Sequence, residues 1–408
     1  FPAGAVISGS GTIRLNADPT LLDSAFVSAD PGFTWTNSPG HTIAGTGRLY
    51  GPASNLGAIT ADQPGKVLQI AGDITNSGIV SATTGILEIA QGARRAGGSI
   101  AIGPSGLLRV PDLAGIASLS LAGNATIAPG ARLEIGAGAL SGVFDIQVNQ
   151  SAANSPTALV VIAAATLGNA STSTTSLNAN ASDLDSASLS STAGAVSIAP
   201  GHTIRGSGRI YAPLSGSPKV NASSAGKTLE ILGDVDLSGG GSLSASAASA
   251  VLAFSGNPTI TGGTISAIAG AFARVQDFGS PLFKGTTLSS PSTLELRPGS
   301  RLRLDAGMAN SGTIIVNSIA TNTPTGIRLT QSASLTGAGN PTLNANSADL
   351  DSALLDGASG VTLTNASGHT IRGTGRVALP ITNQGFISAN NPNGPLQFRS
   401  NLTNSGGS

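Results

Sequence analysis

The chain has 408 residues, with 20 Lys+Arg against 20 Asp+Glu, 56 Gly, no Cys and aromatics at only 3%. Zero net charge without basic runs excludes the phosphate-neutralising surface of a nucleic-acid binder. The absence of Cys excludes disulfides, thiolate chemistry and Cys-based zinc sites, and 40% hydrophobic residues with 10% charged ones suit a folded chain rather than a disordered one.

The longest apolar run, Ala158 to Ala165, is far shorter than the ~20 residues of a spanning helix. The N-terminus lacks the basic, apolar and small-residue series of a signal peptide. It opens on Phe1, as expected of a processed chain or a piece of something longer.

One long unit recurs three times along the chain. Its first copy reads Leu15-Asn16-Ala17-Asp18, Leu22-Asp23-Ser24-Ala25, Gly40-His41-Thr42-Ile43 and Gly45-Thr46-Gly47-Arg48. The second reads Leu177-Asn178-Ala179-Asn180, Leu184-Asp185-Ser186-Ala187, Gly201-His202-Thr203-Ile204 and Gly206-Ser207-Gly208-Arg209. The third reads Leu343-Asn344-Ala345-Asn346, Leu350-Asp351-Ser352-Ala353, Gly368-His369-Thr370-Ile371 and Gly373-Thr374-Gly375-Arg376. His41 to His202 is 161 residues and His202 to His369 is 167, so the super-repeats run approximately over 1–165, 166–331 and 332–408. The third copy is truncated, which implies a segment of a longer tandem array.

A finer period lies inside the unit. Asn55-x-Gly57 and Asn76-x-Gly78 are 21 residues apart, as are Asn383-x-Gly385 and Asn404-x-Gly406; Asn310-x-Gly312 is a further instance. A period near 20 marks a solenoid. Between turn signals the segments alternate apolar and small polar residues, as in Val67-Leu68-Gln69-Ile70 and Leu302-Arg303-Leu304, which is the period of a strand. Pro-Gly pairs at 31–32, 39–40, 64–65, 129–130, 200–201 and 298–299 mark turns. The expectation is an all-β chain, one continuous parallel β-helix over 1–408, of about 18 to 20 coils of roughly 20 residues. Right-handed coiling is the commoner case, by analogy with right-handed crossovers. Gly, Asn and Ser are expected to turn the corners through αL dihedrals, and aligned Asn side chains to bond up and down the stack.

The Ile74-to-Ala82 coil, its counterpart at 381–389 and the Gly-His-Thr-Ile-x-Gly-x-Gly-Arg segments resemble the passenger regions of bacterial autotransporters and filamentous-haemagglutinin-type adhesins. The resemblance implies a secreted or surface-located bacterial structural protein, commonly an adhesin, with a host or matrix glycan or protein as target.

Three sets of residues invite chemistry. His41, His202 and His369 occupy one register about eight coils apart, roughly 37 Å, so they cannot share a metal or acid–base site; each is expected at a coil corner, with a pH-sensitive lateral contact as the alternative. Asp183 with Asp185, and Asp349 with Asp351, are close in sequence and invite a glycosidase reading, which needs two carboxyls about 5 to 9 Å apart, but Leu-Asp-Ser-Ala recurs in every unit and an active site is normally single. Arg48, Arg209 and Arg376 recur likewise, placed to pair with Asp23, Asp185 and Asp351 on a neighbouring coil. Gly-x-Gly-Arg lacks the following helix and Lys of a phosphate loop. Asn124, Asn169, Asn180, Asn221, Asn365 and Asn401 head Asn-x-Ser/Thr sequons, which accept glycans only in a glycosylating compartment.

The expected function is therefore a non-enzymatic stalk, fibre or adhesin without cofactor or metal, self-associating end to end or within a longer array. A carbohydrate-active β-helix enzyme is the alternative from another class. Its one candidate patch is 270–300, with Phe272, Arg274, Asp277, Phe278, Phe283 and Lys284. An ice- or surface-binding module is a third reading, for which Thr172 to Ser176 is a short run.

Overall fold

The computed structural model describes residues 4–90, 95–96, 99–103, 105–112, 119–120, 123–141, 144–168, 172–390 and 394–408. The chain is all-β. Among the described residues its strands pair in parallel with strands of neighbouring coils, as in a parallel β-solenoid. Among the described residues the only helical pieces are three single 3-10 turns at Leu22–Ser24, Leu184–Ser186 and Leu350–Ser352. The chain divides into two compact units, Phe1–Pro213 and Leu214–Ser408.

Period-two alternation carries the packing. In Ala58–Ala61, Val67–Ile70 and Thr293–Leu296 every second side chain is buried. Register then stacks like on like. In the first unit Ile43 lies beside Ile59, which lies beside Val80; in the second, Leu243 lies beside Ile265 and Ile265 beside Leu288. All six are wholly buried. Each such side chain contributes about 1.5–3 kcal/mol by leaving water, so small coils of Val, Ile and Leu suffice without many aromatics.

The coil is less regular than a 20-residue period implies. Thr42 pairs with Ala58, a step of 16, whereas Thr12 pairs with Thr42, a step of 30. One cause of long steps recurs in all three super-repeats. In each super-repeat a single strand pairs with two successive strands of the preceding coil, and the chain between those two leaves the wall as a loop. Thr42–Leu49 pairs with both Thr12–Asn16 and Phe26–Val27, so residues 17–25 form the excursion. His202–Ile210 does the same with Ser173–Asn178 and Ser188–Ser191. Thr370–Val377 pairs likewise with Asn340–Asn344 and Ala353–Gly357.

Candidate functional site

The repeated polar residues assemble into two kinds of site, one inside the coil and one on the excursion.

The inner site is a ladder of buried amides. In the first unit the His41 ring meets Asn37 Oδ1 through Nδ1 at 2.7 Å. Asn37 Nδ2 donates to Asn55 Oδ1 at 2.7 Å, and Asn55 Nδ2 to Asn76 Oδ1 at 2.6 Å. Asn76 ends the run by donating to Gly78 O. The second unit repeats the pattern and extends it by one member. Asn310 Nδ2 meets His369 Nε2 at 3.1 Å, and His369 Nδ1 meets Asn365 Oδ1 at 2.7 Å. Asn365 then donates to Asn383 at 2.7 Å, and Asn383 to Asn404 at 3.0 Å. The buried amides are thus satisfied by one another, which removes the desolvation cost of an unpaired polar group.

The Asn-x-Gly corners have a different physical basis from the αL turns expected of them. The backbone N–H groups of Leu56 and Gly57 both donate to Asn37 O, those of Ser77 and Gly78 to Asn55 O, and those of Gln384 and Gly385 to Asn365 O. Gly57, Gly78 and Gly385 do not adopt positive φ; glycine is needed because a Cβ would collide with a carbonyl of the coil below, His41 O, Gly57 O and His369 O respectively. Gly312 is excluded from carrying a side chain by Ser292 O in the same way. Only Gly406 has the positive φ, +110°, in open space.

His202 opens its strand, and His41 and His369 immediately precede theirs, but all three rings point into the coil. His202 and His369 are fully buried and His41 nearly so, which overturns the alternative of a lateral contact between rods. The middle repeat has Ile198 where the others have Asn37 and Asn365, four residues before the His. His202 turns instead to Ser173 Oγ at 2.9 Å and Thr175 Oγ1 at 3.1 Å, with Phe144 packed 5.5 Å from its ring. Burial pushes His202 down to about 4, against a smaller upward pull from Asp145; burial alone takes His369 to about 4.

The same bonds change the reading of Thr172 to Ser176. Ser173 and Thr175 face inward onto His202. Thr174 and Ser176 are held by Asp145, at 2.5 and 2.9 Å. The run therefore presents no flat row of free hydroxyls.

The outer site is the excursion. Its base is closed on one side by Ala17 N–H on Thr46 O and on the other by Arg48 N–H on Ala25 O; the second repeat has Ala179 on Ser207 and Arg209 on Ala187. This is what Gly-x-Gly is for. Gly45 and Gly47 have φ of +107° and +148°, and a Cβ on either would strike Leu15 O or Ala25 O. Within the loop Ser24, Ser186 and Ser352 accept the N–H of Asp18, Asn180 and Asn346 at 2.7, 2.7 and 2.8 Å. Asp183 and Asp349 accept the N–H of Asp185 and Asp351, both at 2.9 Å. The adjacent carboxylates are thus a turn cap and an ion-pair member.

Across the loop, Arg48 Nη1 donates to Asp23 Oδ2 at 2.6 Å and Tyr50 OH to Asp23 Oδ1 at 2.5 Å. The Tyr50 hydroxyl first, and then the Arg48 guanidinium, hold the Asp23 carboxyl below its ordinary value, against an opposing upward effect of desolvation. Arg209 pairs with Asp185 at 2.5 Å, and Tyr211 OH also donates to Asp185. Arg376 pairs with Asp351, with Ala378 in the place of the tyrosine.

In the 270–300 patch the charges pair across coils. Arg274 meets Glu295 at 2.6 Å, Lys284 meets Asp305 at 3.5 Å and Arg297 meets Asp277 at 3.6 Å. Phe283 is buried against Phe254, while Phe278 stands exposed. Among the described residues no group of three His, Asp or Glu is arranged to hold a metal, and no helix is long and apolar enough to cross a membrane. Of the sequons, Asn365 is sealed inside a ladder and Asn401 is exposed, while Asn169 and the side chain of Asn124 lie outside the described residues. No family model matches the chain, and no curated protein matches it.

Sequence reasoning missed Asn37 and Asn365 as ladder members. The signal was present as Asn-x-x-x-His in the first and third repeats.

Proposed function

We propose that the chain is a secreted structural β-solenoid of the bacterial surface, acting as a stalk, fibre or adhesin and joined end to end or within a longer repeat array. The observation that carries this reading is the Asn–His ladder. The buried Asn residues of the first and third repeats are spent on bonds between coils, which is what a mechanical element requires. Stacked strands and amide runs resist local opening, because each group released has lost a partner on both sides. Coils added in the same register extend the ladder with no new chemistry.

Electron microscopy of native, undenatured material tests the reading. Long uniform fibres with an axial repeat related to the super-repeat are expected. Discrete short particles that never join, under conditions where the protein is folded, would overturn it.

A further inference from the structure

The excursion pinned by Asp and Arg is built three times, yet only its first copy carries an aromatic pair, exposed Phe26 and half-buried Tyr50. Phe26 sits opposite Arg48 in the strand register and is 55% exposed. Its ring meets Tyr50 edge to face, 6.0 Å between centroids at 81°. The second copy has Ser188 opposite Arg209 and keeps Tyr211; the third has Leu354 opposite Arg376, and Ala378. The Asp–Arg pin is present in all three, so pinning the loop does not require the aromatics.

We propose that Asp23, Phe26, Arg48 and Tyr50 form a contact site for a pyranose ring of a neutral carbohydrate. The site is amphipathic in the way a pyranose is. An aromatic surface takes the apolar C–H face of the sugar, and the carboxylate and guanidinium beside it reach the hydroxyl rim. Asp23 and Arg48 stay partly exposed, at 44% and 30% of their side chains. Their charges cancel, which favours a neutral ligand over an acidic one. The platform is preorganised: Trp35, fully buried, donates to Tyr50 O at 2.7 Å and anchors that backbone, while the Tyr50 hydroxyl is fixed on Asp23. Groups already held in place lose little freedom on binding.

The site supplies a target for the adhesin part of the proposed function, and the two fail separately. Rods or fibres seen by microscopy without carbohydrate binding would overturn the site alone. The test is electrophoresis of the full chain in native gels cast with hydroxyethylcellulose, galactomannan, dextran or heparin. Retardation is expected in at least one of the neutral gels. Phe26→Ser, which copies the second repeat, should cut it at least tenfold, and Ser188→Phe should increase it by furnishing a second platform. Unchanged mobility in every neutral gel, retardation by heparin alone, or equal retardation of Phe26→Ser would overturn the proposal. Should Phe26→Ser fail to fold, the gain expected of Ser188→Phe decides the matter.

Discussion

Asn310 Nδ2 lies 3.1 Å from His369 Nε2, and this one bond fixes the ring as neutral. The amide cannot turn over, because Asn310 Oδ1 accepts the Gly312 N–H at 3.1 Å. His369 Nε2 is therefore an acceptor, and its Nδ1–H donates to Asn365. From there each amide donates to the next, through Asn383 to Asn404 and on to Gly407 O. The run has one direction, and a proton added at Nε2 opposes it.

Acid should therefore loosen the coil. His369 and His202 titrate near 4 when folded and near 6.5 when unfolded. Between those values the unfolded chain binds more protons, so stability is full above about pH 6.5 and falls as pH drops toward 4. The loss is at most about 3 kcal/mol per ring. Urea midpoints followed by circular dichroism at pH 7.5, 6, 5 and 4.5 should decline below 6.5, and less steeply in His369→Gln. A flat midpoint from 7.5 to 4.5 would contradict the assignment.

Position within the ladder should set the cost of losing an amide. Asn365→Ile strips the acceptor from His369 and the donor from Asn383, both buried, and should destabilise by about 2–4 kcal/mol. Asn404→Ala, exposed at the last rung, should cost under about 1 kcal/mol. Denaturant unfolding of the two variants compares them directly, and equal effects would mean the ladder is not a connected chain.

The ladder and the fold were unequally legible in the sequence. Period-two alternation in segments such as Val67–Ile70 gave the strands, because that period is fixed by the pleat. The Asn-x-Gly corners were visible as a step of 21, but their reason was not: carbonyl approach at Gly57 depends on His41, which lies a coil away in space. The excursions were visible as Leu-Asp-Ser-Ala and Gly-x-Gly-Arg, yet nothing local shows that the second motif clamps the base of the loop holding the first. The inward turn of the His rings was hidden for the same reason, since Asn37 and Ser173 reach them from different sequence distances.

Glycines in two settings should respond differently to a methyl group. Gly206→Ala drives a Cβ into Leu177 O at a φ of +111°, so both contact and dihedral oppose it. The expected loss exceeds about 3 kcal/mol. Gly65→Ala meets open space, at a φ of +68°, and should cost only the αL penalty of about 1–2 kcal/mol. Thermal midpoints of the two variants separate these terms; a larger fall for Gly65→Ala would mean the clamp is dispensable.

The loop pin should matter less for stability than its regular recurrence suggests. Arg209 and Asp185 are 30% and 43% exposed in their side chains, and a pair of that kind contributes about 0–1 kcal/mol. Arg209→Ala should therefore lower stability by no more than about 1 kcal/mol, an effect that shrinks as salt screens the pair. Ser186→Ala should cost more, about 1–3 kcal/mol. That hydroxyl is fully buried, accepts the Asn180 N–H and donates to Asp183 O at 2.6 Å, so its loss strands two backbone groups at once. Unfolding both variants at low and high salt distinguishes them. If Arg209→Ala proved the costlier at every salt concentration, the loop would be held by its ion pair rather than by the buried serine.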